Sequence, residues 1–185
     1  MSQDSEILDL VDENGKVIGQ ATRAECHNNH ELIHQVVHCW VLNDKHQILW
    51  QQRSFKKESS PGHWDMSCGG HVRAGEKPDN VVKRELEEEL GLVDVDVKFV
   101  ERYLRTSPDG RQTEMIYLYY AVVNKKESEF RLRDGEVERV KWFDVKDATM
   151  KYLNKEVQAT DFIVSQLPKV LEFIVKRNYS KKSNN

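Results

Sequence analysis

Cysteine is scarce in this sequence of 185 residues, charge of one sign is not in excess, and long apolar runs are missing. The three cysteines, Cys26, Cys39 and Cys68, cannot all pair with one another, and the chain is neither short nor cysteine-dense. That argues against a disulfide-stapled secreted scaffold and for a reducing cytosol. No stretch approaches the roughly 20 apolar residues of a membrane span. Met1-Ser2-Gln3-Asp4 lacks the basic and apolar regions of a signal peptide, so a cytoplasmic protein with no membrane partner is expected. Lys+Arg 28 against Asp+Glu 31 gives a net charge of -3. Such a surface offers no general basic field to draw in nucleic acid, so a phosphate-bearing ligand must be held locally.

No internal repeat or linker divides the chain, and its length suits one domain with a full core. Residues 1–178 are read as that domain, and the polar residues 179–185 as a disordered tail. Ile7–Val11 alternates as a strand does, and Asn14-Gly15 offers a tight turn into Lys16–Gly19, so the chain opens on a hairpin. Apolar strands Ile33–Leu42 and Ile48–Gln52 flank the polar turn at 43–46. A short strand is expected over Trp64–Gly70, ending on paired glycines that let backbone come close to a neighbour. Pro78 suits a first helical turn, Val82, Leu86 and Leu90 recur every fourth residue, and Gly91 ends the helix. Further strands are expected from about Val95 to Thr106, from Arg111 to Val123 and from Val137 to Phe143. Two helical stretches close the chain, the last from about Asp161 to Arg177.

The chemistry concentrates between Gly70 and Leu92. After Gly70 come five residues, Glu76, seven residues, Arg84-Glu85-Leu86, one residue, Glu88-Glu89, one residue and Gly91-Leu92. On a helix, Glu85, Glu88 and Glu89 stand at i, i+3 and i+4, so three carboxylates crowd one face while Val82, Leu86 and Leu90 turn to the core. Like charges that close repel, and oxygen-only ligands suit a hard cation such as Mg²⁺ or Mn²⁺. The bland alternative is a solvated acidic face, and Glu87 is read that way. Arg84 carries a rigid fork that can orient Glu85 and Glu88.

This spacing resembles the Nudix superfamily: every fixed position of the Nudix box is present, over about an eighth of the chain. The resemblance implies an α/β/α sandwich with a mixed sheet. It also implies cleavage of a diphosphate linkage in a small-molecule substrate, with metal bound by Glu85, Glu88, Glu89 and the carbonyl of Gly70. Glu76 and Arg84 would support the loop and helix that present them. The water would be deprotonated by Glu88 or by a carboxylate from a later loop. Glu136, just before a late strand, is a candidate, and Glu114 is another. Homodimers are common in the family, although no motif here marks one.

Leu49-Trp50-Gln51-Gln52-Arg53-Ser54, Lys56-Lys57, Pro61-Gly62-His63-Trp64 and Gly70-His71 are similar to the isopentenyl diphosphate isomerase branch. That likeness implies a second metal site at His27, His34 and His71, with Glu114 near it. The isomerase's cysteine position is taken by Gly69, however, and Cys68 lies one residue earlier, which on a strand reverses the side chain. Cys68 is therefore read as a small buried hydrophobe. The intact Arg84-Glu85 and Glu88-Glu89 pairs favour hydrolysis, with the isomerase and a non-catalytic metabolite-sensing module as rivals. Four histidines, His27, His30, His34 and His38, fall close together, and hydrogen-bonded or solvated histidines are commoner than ligands. Arg53, Lys56 and Lys57 are candidates to meet a distal phosphate. Trp64, Tyr103, Tyr117 and Trp142 can stack on a base, although strand aromatics are more often core.

Overall fold

The computed structural model describes the backbone of residues 3–182. The opening hairpin is present as β1 (Ile7–Val11) and β2 (Val17–Thr22). Asp12 closes its turn by accepting hydrogen bonds from the backbone N–H of Asn14 and of Lys16, both at 2.9 Å. A short helix, α1 (Arg23–Asn28), follows at once and was not anticipated. Its signal was present: Thr22 and Glu25 form a capping box, each side chain accepting from the other's backbone N–H.

The central strand β3 (Ile33–Leu42) is buried over all but its first residue. β4 (Gln47–Arg53) follows it. The strand expected over Trp64–Gly70 is instead two, β5 (Trp64–Asp65) and β6 (Cys68–His71). Ser67 explains the break, because its hydroxyl donates to the Leu49 carbonyl and accepts from the Val41 N–H at 2.8 Å, replacing ladder bonds with side-chain ones. The carboxylate-bearing helix α2 spans Pro78–Leu90, and Gly91 caps it at φ +64°. The remaining elements are β7 (Val97–Thr106), β8 (Thr113–Val122), β9 (Val137–Asp144), α3 (Val145–Leu153) and α4 (Asp161–Lys182). The tail expected from residue 179 is therefore helical as far as Lys182, and 183–185 lie outside the described residues.

The nine strands form one mixed sheet in which β3 runs parallel to β8 and antiparallel to β1, β4 and β6. Alternation along β3 sorts the core. Val37, Cys39 and Val41 join Val82, Leu86 and Leu90 of α2 on one face. Trp40 and Leu42 join Trp50, Phe143 and Ile163 of α4 on the other. The sheet is thus sandwiched between helices as expected, and each fully buried leucine of α2 contributes roughly 1.5–3 kcal/mol. No helix among the described residues is long and apolar enough to cross a membrane.

Candidate active site

The opening hairpin has a structural task here: it holds the loop that runs from β6 into α2. Asp9 accepts from the Gly75 N–H at 2.7 Å, and the Ala74 N–H donates to the Ile7 carbonyl at 2.9 Å. Glu76 ties the same loop to the helix, accepting from the Arg73 N–H at 3.1 Å and from Arg84 at 3.3 Å. Arg84 Nη1 then reaches Glu85 at 2.7 Å and lies 3.7 Å from Glu88. The fork expected to orient the carboxylates stands between three of them.

Glu85 and Glu89 are buried, and Glu88 stands more in the open. Burial pushes Glu85 up to about 7, with the nearby Glu88 charge adding to the shift and Arg84 opposing it. Glu89 goes up to about 8, through burial and then repulsion from Glu85, with Lys57 opposing. Gln51 of β4 donates to Glu89 at 3.3 Å, a contact sequence reading missed. Its signal was a polar residue on a buried strand beside Trp50. Gly70 faces Glu85 so closely that a Cβ there would lie 2.4 Å from the carboxyl carbon. Two carboxyls held away from their ordinary ionisation and an oxygen-only donor set fit a hard divalent cation.

A cleft of about 380 Å³ joins these groups to Arg53, Lys57 and Glu136 on one side and to His27, His71 and Glu114 on the other. Lys57 pairs with Glu136, and Arg53 pairs with Asp65 at 3.0 Å while also donating to the Ser59 carbonyl. Lys56 lies further out, 3.1 Å from Asp134. Trp64, Tyr103, Tyr117 and Trp142 do not line this cleft among the described residues; the aromatic that does is Phe162 of α4. Trp64 packs edge-on against Phe143, and Trp142 donates to the Lys125 carbonyl at 3.0 Å.

The three histidines come from three elements. The β3–β6 register sets Val36 beside His71, and the parallel β3–β8 register sets His34 beside Glu114. α1 brings His27 to within 2.9 Å of His71, and ligand atoms of His27, His34 and His71 all lie within 4.8 Å of one another. His34 is 0% exposed, with both ring nitrogens and one oxygen of Glu114 lacking a hydrogen-bond partner. Burial, then His27, lowers His34 to about 4, and burial, against the pull of Arg105, raises Glu114 to about 7. Unsatisfied buried groups cost about 1–3 kcal/mol each, and three neutral imidazoles beside a carboxyl are suitable donors for a transition metal. His38 stands apart, facing Gln166 and the edge of Phe162, and His30 is exposed.

Cys68 sits in the apolar cluster under α2, opposite Cys39 and outside the lining of the cleft, and burial, then the nearby Glu89 charge, holds its thiol well above the usual range. Gly69 faces the cleft side, where a Cβ would meet Met66 and His38.

The chain's fold is similar to that of the DR0079 protein from Deinococcus radiodurans, with a TM-score of 0.75 at 22% identity, covering 89% of this chain and 99% of that one. It is 44% identical over 92 residues to an uncharacterized Nudix hydrolase of Nostoc sp., covering 50% of this chain and 54% of that protein. It is 32% identical over 109 residues to an isopentenyl-diphosphate Delta-isomerase of Mycolicibacterium vanbaalenii, covering 57% of this chain and 60% of that protein. These matches thus span little more than half the length of the two relatives. A NUDIX domain family model matches residues 32–163, a stretch that takes in the strands of the cleft and the whole carboxylate helix, and the chain belongs to the Nudix family.

Proposed function

We propose that this protein hydrolyses a diphosphate linkage in a nucleoside diphosphate derivative or a related organic diphosphate, as a single domain in a reducing cytosol. The observation that carries this reading is the trio Glu85, Glu88 and Glu89 on one helix face, two of them buried and one of these, Glu85, fitted against Gly70. Mg²⁺ or Mn²⁺ would be held by these three carboxylates and the Gly70 backbone. A bound divalent cation supplies charge neutralisation on the phosphate oxygens and an activated water. Arg84 fixes the directions of Glu85 and Glu88. Gln51 steadies Glu89. Lys57 and Arg53 offer cationic groups on the cleft wall to the distal phosphate. The proton of the attacking water goes to Glu88 or to Glu136, both of which line the cleft. The test is to incubate the protein with Mg²⁺ and a pool of nucleoside diphosphate sugars, ADP-ribose, deoxynucleoside triphosphates and isopentenyl diphosphate, followed by phosphorus and proton NMR. New phosphate monoesters support hydrolysis. A shifted double bond with the diphosphate intact would support the isomerase reading instead, and an unchanged pool would favour a sensing module.

The isomerase reading draws support from the His27, His34, His71 and Glu114 group. It is weakened by the place of Cys68 in the apolar cluster under α2, outside the lining of the cleft. Cys68→Ala is therefore expected to keep turnover within about twofold while lowering stability by on the order of 1 kcal/mol, from the small void left in the core. Near-total loss of activity in a folded Cys68→Ala protein would reverse the preference between the two reactions.

The same reading makes stability depend on pH and metal together. Glu85 and Glu89 titrate at about 7 and about 8 in the fold against 4.5 in the unfolded chain. Between those values the folded chain holds more protons than the unfolded one, so stability falls as pH rises through that window. Mg²⁺ is expected to raise the unfolding midpoint more at pH 8 than at pH 6, relative to chelator. Zn²⁺ should add a stabilisation that His71→Ala removes, leaving the Mg²⁺ effect in place. Thermal unfolding at the two pH values checks both, and a Mg²⁺ effect independent of pH would separate these carboxyls from the metal.

A further inference from the structure

The segment between β8 and β9 folds back over the end of the carboxylate helix. The Arg131 N–H donates to the Leu90 carbonyl and the Arg133 N–H to the Glu89 carbonyl, both at 3.2 Å. The same segment is tied to the loop after β4, its neighbour at the end of the paired strands β4 and β9. The Ser54 N–H donates to the Glu136 carbonyl at 3.0 Å, Lys57 meets Glu136, and Lys56 meets Asp134 at 3.1 Å. Main-chain bonds thus hold Arg133 at the rim of the cleft whatever its side chain does. Its guanidinium Nη1 donates to Glu88 Oε2 at 2.7 Å.

Two arginines therefore address one carboxylate, and their settings differ. Arg84 is 23% exposed and also bound to Glu76 and Glu85, which makes it a fixed orienting group. Arg133 is 51% exposed, with room to rotate. A divalent cation binds carboxylate oxygens at about 2.0–2.6 Å. On Glu88 Oε2 it would stand against a guanidinium donating to that same oxygen, and like charges that close repel.

We infer that Arg133 and a divalent cation are alternative partners of Glu88, and that the guanidinium turned away by the cation becomes a ligand of the substrate's phosphate. The inference rests on the hydrolytic reading of this site. Arg133 is then a cation that protects Glu88 before metal arrives and a planar fork for an anionic group afterwards. Nothing in the box spacing marks it, because it comes from a segment more than 40 residues further on.

Calorimetric titration of the whole protein with Mn²⁺ alone, then with methylenediphosphonate at saturating Mn²⁺, tests this with Arg133→Gln and Arg133→Lys. Arg133→Gln is expected to bind Mn²⁺ about two- to fivefold more tightly, the scale of an exposed ion pair. It should bind methylenediphosphonate about tenfold more weakly, the scale of a charged hydrogen bond. Arg133→Lys should hold wild-type Mn²⁺ affinity and recover part of the diphosphonate loss. Opposite signs on the two ligands are what a merely structural arginine would not produce; weaker binding of both overturns the inference. So does unchanged Mn²⁺ affinity in Arg133→Gln. If the wild-type protein itself binds no Mn²⁺, the hydrolytic reading fails along with it, so the two failures are told apart by the wild-type titration.

Discussion

Glu88→Gln is expected to lower turnover by about 10²–10⁴-fold, the range for loss of a group that moves the reacting proton. The substitution keeps shape and removes charge. Glu88 Oε2 accepts from Arg133 at 2.7 Å and lies 3.7 Å from Arg84, and a glutamine oxygen can accept from the same donors. Its side chain is 37% exposed, so the fold has little to lose. Denaturant unfolding should stay within about 0.5 kcal/mol of wild type, the usual scale for a surface change. The decisive quantity is kcat at saturating Mg²⁺ on whichever diphosphate the NMR screen identifies. Unchanged turnover would remove Glu88 from both base and metal roles, and with it the carboxylate trio as the seat of the reaction. A drop accompanied by global unfolding would be a stability result, which is why the two measurements belong together.

Gly70→Ala should be nearly as damaging, by a different route. Gly70 is not among the glycines with positive φ, so the backbone accepts alanine. The obstacle is Glu85: an added Cβ would lie 2.4 Å from both Cδ and Oε1 of that side chain and 2.9 Å from Cγ. Glu85 must swing aside, breaking its 2.7 Å bond to Arg84 and leaving the direction in which it would face a cation. A displacement of about 1 Å in a catalytic group can cost about 10²-fold. We therefore expect kcat/KM to fall by about that factor and Mn²⁺ affinity to weaken, with the unfolding midpoint little changed. Wild-type metal affinity in Gly70→Ala would show that Glu85 lies outside the metal site.

The two variants probe features of unequal legibility. Glu88 is visible in the string of residues, because the helix that carries it announces itself through Pro78, a four-residue apolar repeat and Gly91. The contact of Gly70 with Glu85 is not, since it depends on how β6 is pressed against α2. Strand β3 was legible to the residue, being a ten-residue apolar-rich run bounded by turns. The direction of Cys68 followed from period-two alternation alone, once Gly69 was placed. By contrast, α1 is only six residues long, too short for a periodic stripe, and only its capping box betrays it. The break at Ser67 depends on a side chain bonding two other strands.

By itself, then, the sequence determined the carboxylate helix, its three acids on one face, the central strand and the Nudix box. These are properties of a single element, written in local spacing. Tertiary structure decided that His27, His34, His71 and Glu114 converge, that Gln51 supports Glu89, that Phe162 rather than a strand tryptophan enters the cleft, and that Arg133 reaches Glu88. Each of these joins elements far apart along the chain. Which residues meet there is set by strand register and by packing on both faces of the sheet, and those arise from the summed contacts of the whole core.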